Sequence, residues 1–169
     1  MNRNPDLLNE TGRKNTGPHE VRMDAWISCA PFERLLNMEI LEAENGQAVL
    51  TMPVLYDFVQ GGGLLHGGAL VSLADTAVAM AIKSMLSPKS HFGTISMESK
   101  FLRPVPKGIV TARARARILK DRVLEGEATI FDEAQTAVMV FTSIFKVAKD
   151  AEIKGVTFKS PTRDAHVAF

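Results

Sequence analysis

Asp75 is the only charged residue between Gly67 and Ile82, in the stretch GGALVSLADTAVAMAI. Leu70, Leu73, Ala77 and Ala81 fall on one side of a helix through these residues, and Val71, Val78 and Ile82 on the other. A helix that is apolar all round is expected to be buried. An ionised carboxylate there is costly unless it has partners or its pKa rises, and a raised pKa makes a carboxylate a useful base at neutral pH. A purely structural Asp75 would be hydrogen-bonded to Ser72 or to backbone. Just upstream stand His66, Gly67 and Gly68. The first N–H groups of a helix have no intrahelical acceptor and carry partial positive charge. With no side chains at Gly67 and Gly68 to block approach, a carbonyl oxygen could dock there as in an oxyanion hole.

His66 and Asp75 are nine residues apart. At ~100° and ~1.5 Å per residue that is ~900° of rotation and ~13 Å of rise. The two side chains point in roughly opposite directions, so a single chain does not bring them together. If both serve one site, a second chain supplies one of them.

The elements that position these residues follow from periodicity. Residues 23–37 carry Trp26, Ile27, Ala30, Leu35 and Leu36 at helical spacing, with Pro31 either kinking that helix or starting a second one. Met38–Glu44 and Gln47–Val54 flank Asn45-Gly46, the signature of a type I′ hairpin. A glycine-rich loop, LYDFVQGGGLLHGG, leads into the central helix, expected from about His66 to Met85. Four strands are expected after it: Thr94–Arg103, Ile109–Lys120, Val123–Phe131 and Thr136–Val147. In the second of these, Val110, Ala112, Ala114, Ala116 and Ile118 alternate inward, with Arg113, Arg115 and Arg117 outward. Short connections favour an antiparallel meander. The expected class is α+β, a curved antiparallel sheet wrapped around one long central helix. Residues 1–22 are expected to be a flexible extension, 23–148 the domain, and 149–169 a tail.

Composition bounds the alternatives. The chain has 169 residues, 46% of them hydrophobic, and a formal net charge of +1. That fits one folded domain and gives no broad electrostatic footprint for nucleic acid. The single cysteine, Cys29, excludes an intrachain disulfide and reads as a small buried side chain in a helix. No apolar stretch is clean enough for a membrane span, and the first residues lack a secretory pattern, so a cytoplasmic protein is expected. The scattered His and Cys give no metal-ligand spacing. The outward arginines read as a solvated sheet face, with phosphate binding as the alternative.

Gln60, HGG at 66–68, LADTA at 73–77, and FLRP at 101–104 followed by Gly108 together resemble the hotdog-fold acyl-CoA thioesterases. Within them the chain is most similar to the PaaI-like and 4-hydroxybenzoyl-CoA thioesterase group, over about residues 35–147. The resemblance implies hydrolysis of an acyl- or aryl-CoA thioester with no cofactor beyond the CoA of the substrate. It implies that Gly67 donates its N–H to the thioester carbonyl and that Asp75 of a partner chain is nucleophile or general base. Gln60 would orient substrate or water, His66 would hold the loop and the thioester, and Thr94 would position water beside the acid. In one branch a Thr one turn after the acid has that task, but here the position is Ala79. Gly68, Arg103 and Lys107 are the expected substrate contacts, the last two through CoA phosphates. The implied assembly is a homodimer, paired again into a tetramer. A hydroxyacyl-thioester dehydratase or a non-catalytic acyl-CoA-binding module remain alternatives.

Overall fold

The computed structural model describes residues 17–159. The expected extension at 1–16 and the last ten residues of the expected tail lie outside that range. Six strands form one antiparallel sheet: β2 (Glu39–Glu44), β3 (Gln47–Pro53), β4 (Ser90–Phe101), β5 (Ile109–Lys120), β6 (Val123–Phe131) and β7 (Ala137–Glu152). They are ordered β2-β3-β5-β6-β7-β4. One long helix, α2 (Gly67–Lys83), packs on the inner face. The curled sheet around one main helix is the architecture expected from the sequence.

The hairpin at Asn45-Gly46 forms as its residues dictate. Both central positions have positive φ, 49° and 77°, which a type I′ turn requires and which Asn and Gly tolerate. The meander does not form. β4 pairs with β7 rather than β5, so it occupies the far edge of the sheet. The connection 102–108 makes this possible. Its two prolines keep it extended, and seven residues reach ~23 Å, more than the ~14 Å across three strand spacings. It is anchored as it passes the helix start: Leu102 N donates to Val138 O (2.8 Å), Leu65 N to Val105 O (2.8 Å) and Val54 N to Gly108 O (2.9 Å).

The expected helix over 23–37 is only α1 (Pro31–Leu35), with Pro31 in its first turn and the Glu33 carboxylate accepting from Ala30 N at 2.9 Å. Residues 24–28 bend instead, with the Ser28 hydroxyl donating to Ala25 O at 2.8 Å. That bend turns Trp26 into the protein, where its indole N–H donates to Lys83 O at the end of α2 (3.0 Å) and its ring meets Phe92 and Phe158 edge-on. Apolar residues at helical spacing therefore mark a tertiary contact here. Cys29 is partly buried, outside any helix, with its thiol donating to Met38 O at 3.3 Å; burial pushes its pKa up. The chain continues as strand beyond 148, and β8 (Val156–Phe158) pairs in parallel with β1 (Val21–Met23). No helix among the described residues is long and apolar enough to cross a membrane.

The core is a sandwich of α2 against the sheet. Leu73, Ala77, Val78 and Ile82 are fully buried on Leu50, Met52, Val110, Ala112, Leu124, Ile130 and Met139. The tightest approach is at Gly126 of β6. A Cβ built there would overlap Val78 Cγ1. The strand backbone itself is the surface on which α2 rests, so this glycine fixes the helix height above the sheet. Gly126→Ala is expected to destabilise the fold by about 1–3 kcal/mol through overpacking, read as a lower urea midpoint. An unchanged midpoint would mean that α2 is free to lift.

Candidate active site

α2 starts cleanly because His66 caps it. The His66 backbone is extended (φ −64°, ψ 133°), and its Nδ1 accepts from Gly68 N at 2.8 Å. That bond makes Nδ1 an acceptor, which puts the ring proton of the neutral imidazole on Nε2. The carbonyl of His66 accepts from Ala69 N (2.9 Å) and Leu70 N (3.3 Å). Of the four N–H groups that open the helix, three are thereby satisfied within the chain. Among the described residues, Gly67 N has no acceptor. Gly68, expected to contact substrate, spends its N–H on the His66 ring.

The glycine-rich loop ahead of the helix is a compact hairpin rather than a loose strap. Gln60 N donates to Leu64 O and Gly63 N to Gln60 O, both at 2.8 Å, and His66 N donates to Phe58 O at 2.8 Å. The Gln60 side chain is exposed and folds back onto this loop, its Oε1 accepting from Gly62 N at 2.5 Å. Gln60 is thus joined to the loop and not to Asp75. The 102–108 connection runs alongside, with exposed Arg103 and Lys107 flanking Val105, whose carbonyl is bonded to Leu65.

Asp75 is not buried on all sides. Gly68, Ser72, Asp75, Ala79 and Lys83 form a stripe of α2 that the chain leaves partly open. The all-round apolar pattern was misleading because this stripe is lined by small residues rather than covered. Ser72 does not hold the carboxylate; its hydroxyl donates to Gly68 O at 2.8 Å. Thr94 does. Its hydroxyl donates to both carboxylate oxygens, at 3.0 Å and 3.3 Å. Burial raises the pKa of Asp75 above the ordinary aspartate value, and the Thr94 hydrogen bond offsets part of the rise.

A β-bulge aims Thr94. The β4–β7 register shifts between Thr94 and Ser96, so Thr94 stands opposite Phe145 and Ser96 opposite Ile144, with Ile95 unpaired. The extra residue puts Thr94 on the same inner face as Met97, Ser99 and Phe101. Strict alternation back from Phe101 would set Thr94 on the opposite face, and the bulge reverses that. At the far end of β4, the Phe101 ring lies against Gly67; a Cβ at Gly67 would meet it at 3.2 Å. One strand therefore supports the acid at one end and the helix start at the other. Phe101 and the bulge are features that sequence spacing did not mark.

Among the described residues, no three His, Cys, Asp or Glu side chains converge to hold a metal ion. Arg113, Arg115 and Arg117 lie on the outer face, hydrogen-bonded to Gln135, Glu127 and Glu125 respectively, as a solvated sheet face predicts.

A model of the thioesterase superfamily matches residues 62–139. The acyl-coenzyme A thioesterase PaaI of Escherichia coli (strain K12) is 34% identical over 116 residues, 68% of this chain and 78% of that protein. The solved structure of E. coli PaaI, from the phenylacetic acid degradation operon, matches with a TM-score of 0.65 and 28% identity over 75% of this chain and 87% of that one. A thioesterase of Haemophilus influenzae matches with a TM-score of 0.66 and 28% identity, covering 73% of this chain and 86% of its own. A presumed esterase of Pasteurella multocida (strain Pm70) is 37% identical over 83 residues, 49% of this chain; the match spans only 60% of that relative's length.

The raised pKa of Asp75 has a consequence for stability. Between the ordinary aspartate pKa and the raised one, the folded chain holds more protons than the unfolded chain. Stability therefore falls as pH rises through that window and stays lower above it. Asp75→Asn carries no such loss. The variant is expected to be more stable than wild type at pH 7, with the gap narrowing towards pH 4. Urea denaturation at the two pH values checks this, and a variant less stable at pH 7 would contradict it.

Proposed function

This chain belongs to the thioesterase superfamily, and we propose that it hydrolyses an acyl- or aryl-CoA thioester at a site shared by two copies of the chain. The observation that carries this reading is Asp75. It is a raised-pKa carboxylate held by one hydroxyl, on the one open stripe of a buried helix.

The shared site follows from distance. Gly67 and Asp75 of one chain are separated by eight residues of helix, ~12 Å of rise, and the Gly67 N–H faces away from the helix body. A carbonyl docked at that N–H is out of reach of the same chain's Asp75. Among the described residues β4 is an edge strand of 12 residues with one side unpaired, and Ile95 is 61%, Met97 48% and Phe101 55% exposed. The opposite edge, β2, is guarded by Glu39, Glu42, Glu44 and a bulge, the usual protection against strand addition. Antiparallel pairing of two β4 edges would bring Thr94 and Asp75 of one copy beside Phe101 and Gly67 of the other. It would also cover the apolar residues that a lone chain exposes.

In the reaction, the thioester carbonyl oxygen accepts the Gly67 N–H. Asp75 of the second copy takes a proton from water as the water oxygen attacks the carbonyl carbon. The tetrahedral intermediate places its negative charge at the Gly67 N–H, then collapses with cleavage of the C–S bond. The proton held by Asp75 passes to the departing CoA sulfur, leaving free acid and CoA. Direct attack by Asp75 would instead form a mixed anhydride, and ¹⁸O found in Asp75 after a single turnover in ¹⁸O-water would mark that route, through water attack on the aspartyl carbonyl. His66 holds the loop and sets the helix start. Gln60 orients water or substrate if its amide leaves Gly62. Arg103 and Lys107, beside the helix start, contact CoA phosphates. We place the enzyme in the cytoplasm, where CoA thioesters are made.

Thiol release across short-chain, medium-chain and aryl acyl-CoAs is the test. Asp75→Asn is expected to lose about 10²–10⁴-fold in kcat on the preferred substrate, the usual worth of general-base catalysis. A near wild-type rate would end this reading, and hydration of enoyl-CoA would favour a dehydratase. Met97→Arg is expected to leave a folded monomer with the same loss of turnover, checked by light scattering, which also separates dimer from tetramer. An active monomer would contradict the shared site.

A further inference from the structure

On the outer face of the sheet, a groove of about 260 Å³ opens where β4 begins, lined by His91, Gly93, Arg122 and Lys146 together with Phe92 and Val147. We propose that this groove binds a phosphate group.

The groove is built by an irregularity in the sheet. The β4–β7 register jumps from Phe92↔Val147 to Ser90↔Glu152. His91 alone therefore spans the interval that residues 148–151 fill on β7. A large bulge of this kind splays the strands and re-aims side chains. Gly93 sits directly opposite Lys146. Its φ is not positive, and a Cβ added to it would meet nothing within 4 Å. Neither backbone conformation nor packing requires glycine at this position, and glycine weakens a strand interior. What its missing side chain does is leave the floor beside Lys146 open, so that a ligand can approach the backbone.

Among the described residues that line it, the groove carries basic groups and no acidic one. Several other cations of the outer face are paired with carboxylates: Arg115 with Glu127, Arg117 with Glu125, and Lys100 with Glu98; Arg113 bonds to the neutral Gln135. Among the described residues, none of His91, Arg122 and Lys146 has a carboxylate partner, and no acidic residue lines the groove. Arg122 is also held in place. Its carbonyl accepts from Val147 N at 2.8 Å while its Nη1 donates back to Val147 O at 3.0 Å. The remaining donors of that fixed fork, with the Lys146 ammonium and the His91 ring, suit the several acceptor oxygens of a phosphate. Gly93 faces outward while its neighbour Thr94 faces Asp75, so the groove lies on the opposite side of the sheet from the candidate catalytic acid. The proposal does not depend on the catalytic reading.

Titration calorimetry of the full chain at low ionic strength tests it, with inorganic phosphate and adenosine 3′,5′-bisphosphate as separate probes. Saturable binding at one site per chain is expected for at least one probe. Tighter binding of the bisphosphate assigns the site to a nucleotide, and equal binding assigns it to free phosphate. Lys146→Ala is expected to weaken binding roughly tenfold or more, as loss of a charged hydrogen bond does. Gly93→Val, which keeps every charge and suits a strand, is expected to do the same by filling the floor, while Lys100→Ala leaves the affinity unchanged. Circular dichroism and melting confirm that each variant is folded. No saturable binding of either probe would overturn the proposal. So would a loss in Lys146→Ala with none in Gly93→Val, which would mean diffuse charge rather than a built groove.

Discussion

β4 holds the two halves of the proposed chemistry apart. Thr94, near one end, is bonded to Asp75; Phe101, at the other, lies against Gly67. Seven residues of strand and eight of helix separate the two pairs, and neither element can be shortened without breaking the sheet or the helix. A carboxylate at one end and, at the other, an N–H with no acceptor among the described residues are the two halves of the proposed site. Among the described residues the same strand is an edge of the sheet, so the element that divides the proposed site within a chain is the one that would reassemble it between chains.

The acid depends on three local choices made far apart in sequence. Gly126 lets α2 sit low enough for its open stripe to face the end of β4. The bulge at Ile95 turns Thr94 to the inner face. Small residues along Gly68, Ser72 and Ala79 leave the carboxylate partly uncovered. Burial raises its pKa and Thr94 pulls part of the way back. A carboxylate poised in this way suits proton transfer at neutral pH better than an ordinary surface aspartate, at some cost in stability.

Much of this was legible in the sequence for definite reasons. Asn45-Gly46 demanded a turn that few other residues allow, and Ile109–Lys120 alternated too regularly to be anything but strand. HGG followed by an acid nine residues later marked the helix start and the acid. What was not legible depended on contacts between distant residues. β4 crosses to β7 because a two-proline connection can span three strands, and no local pattern encodes which edge it reaches. The spacing of Trp26, Ile27 and Ala30 imitated a helix, while Trp26 was placed by a bond to Lys83. Thr94 was picked out by resemblance although alternation pointed it away from the acid. The bulge reconciles the two, and a one-residue insertion in register leaves no mark on a single sequence.

The shared site is tested most directly by mixing two inactive variants, Asp75→Asn and Gly67→Pro. Proline is well suited to the first helical position and deletes the free N–H there; its ring also meets the Phe101 side chain, which must give by a few tenths of an ångström. His66 before it is already extended (φ −64°, ψ 133°), as a residue before proline must be. Each variant alone is expected to be folded and nearly inactive, with Gly67→Pro losing on the order of 10²–10³-fold in kcat. Unfolded together and refolded as mixed dimers, they should regain thiol release, because one site of each mixed dimer then combines an intact Gly67 from one chain with an intact Asp75 from the other. Mixed dimers that form and stay inactive would contradict the account, since they would mean that each chain uses its own Gly67 with its own Asp75.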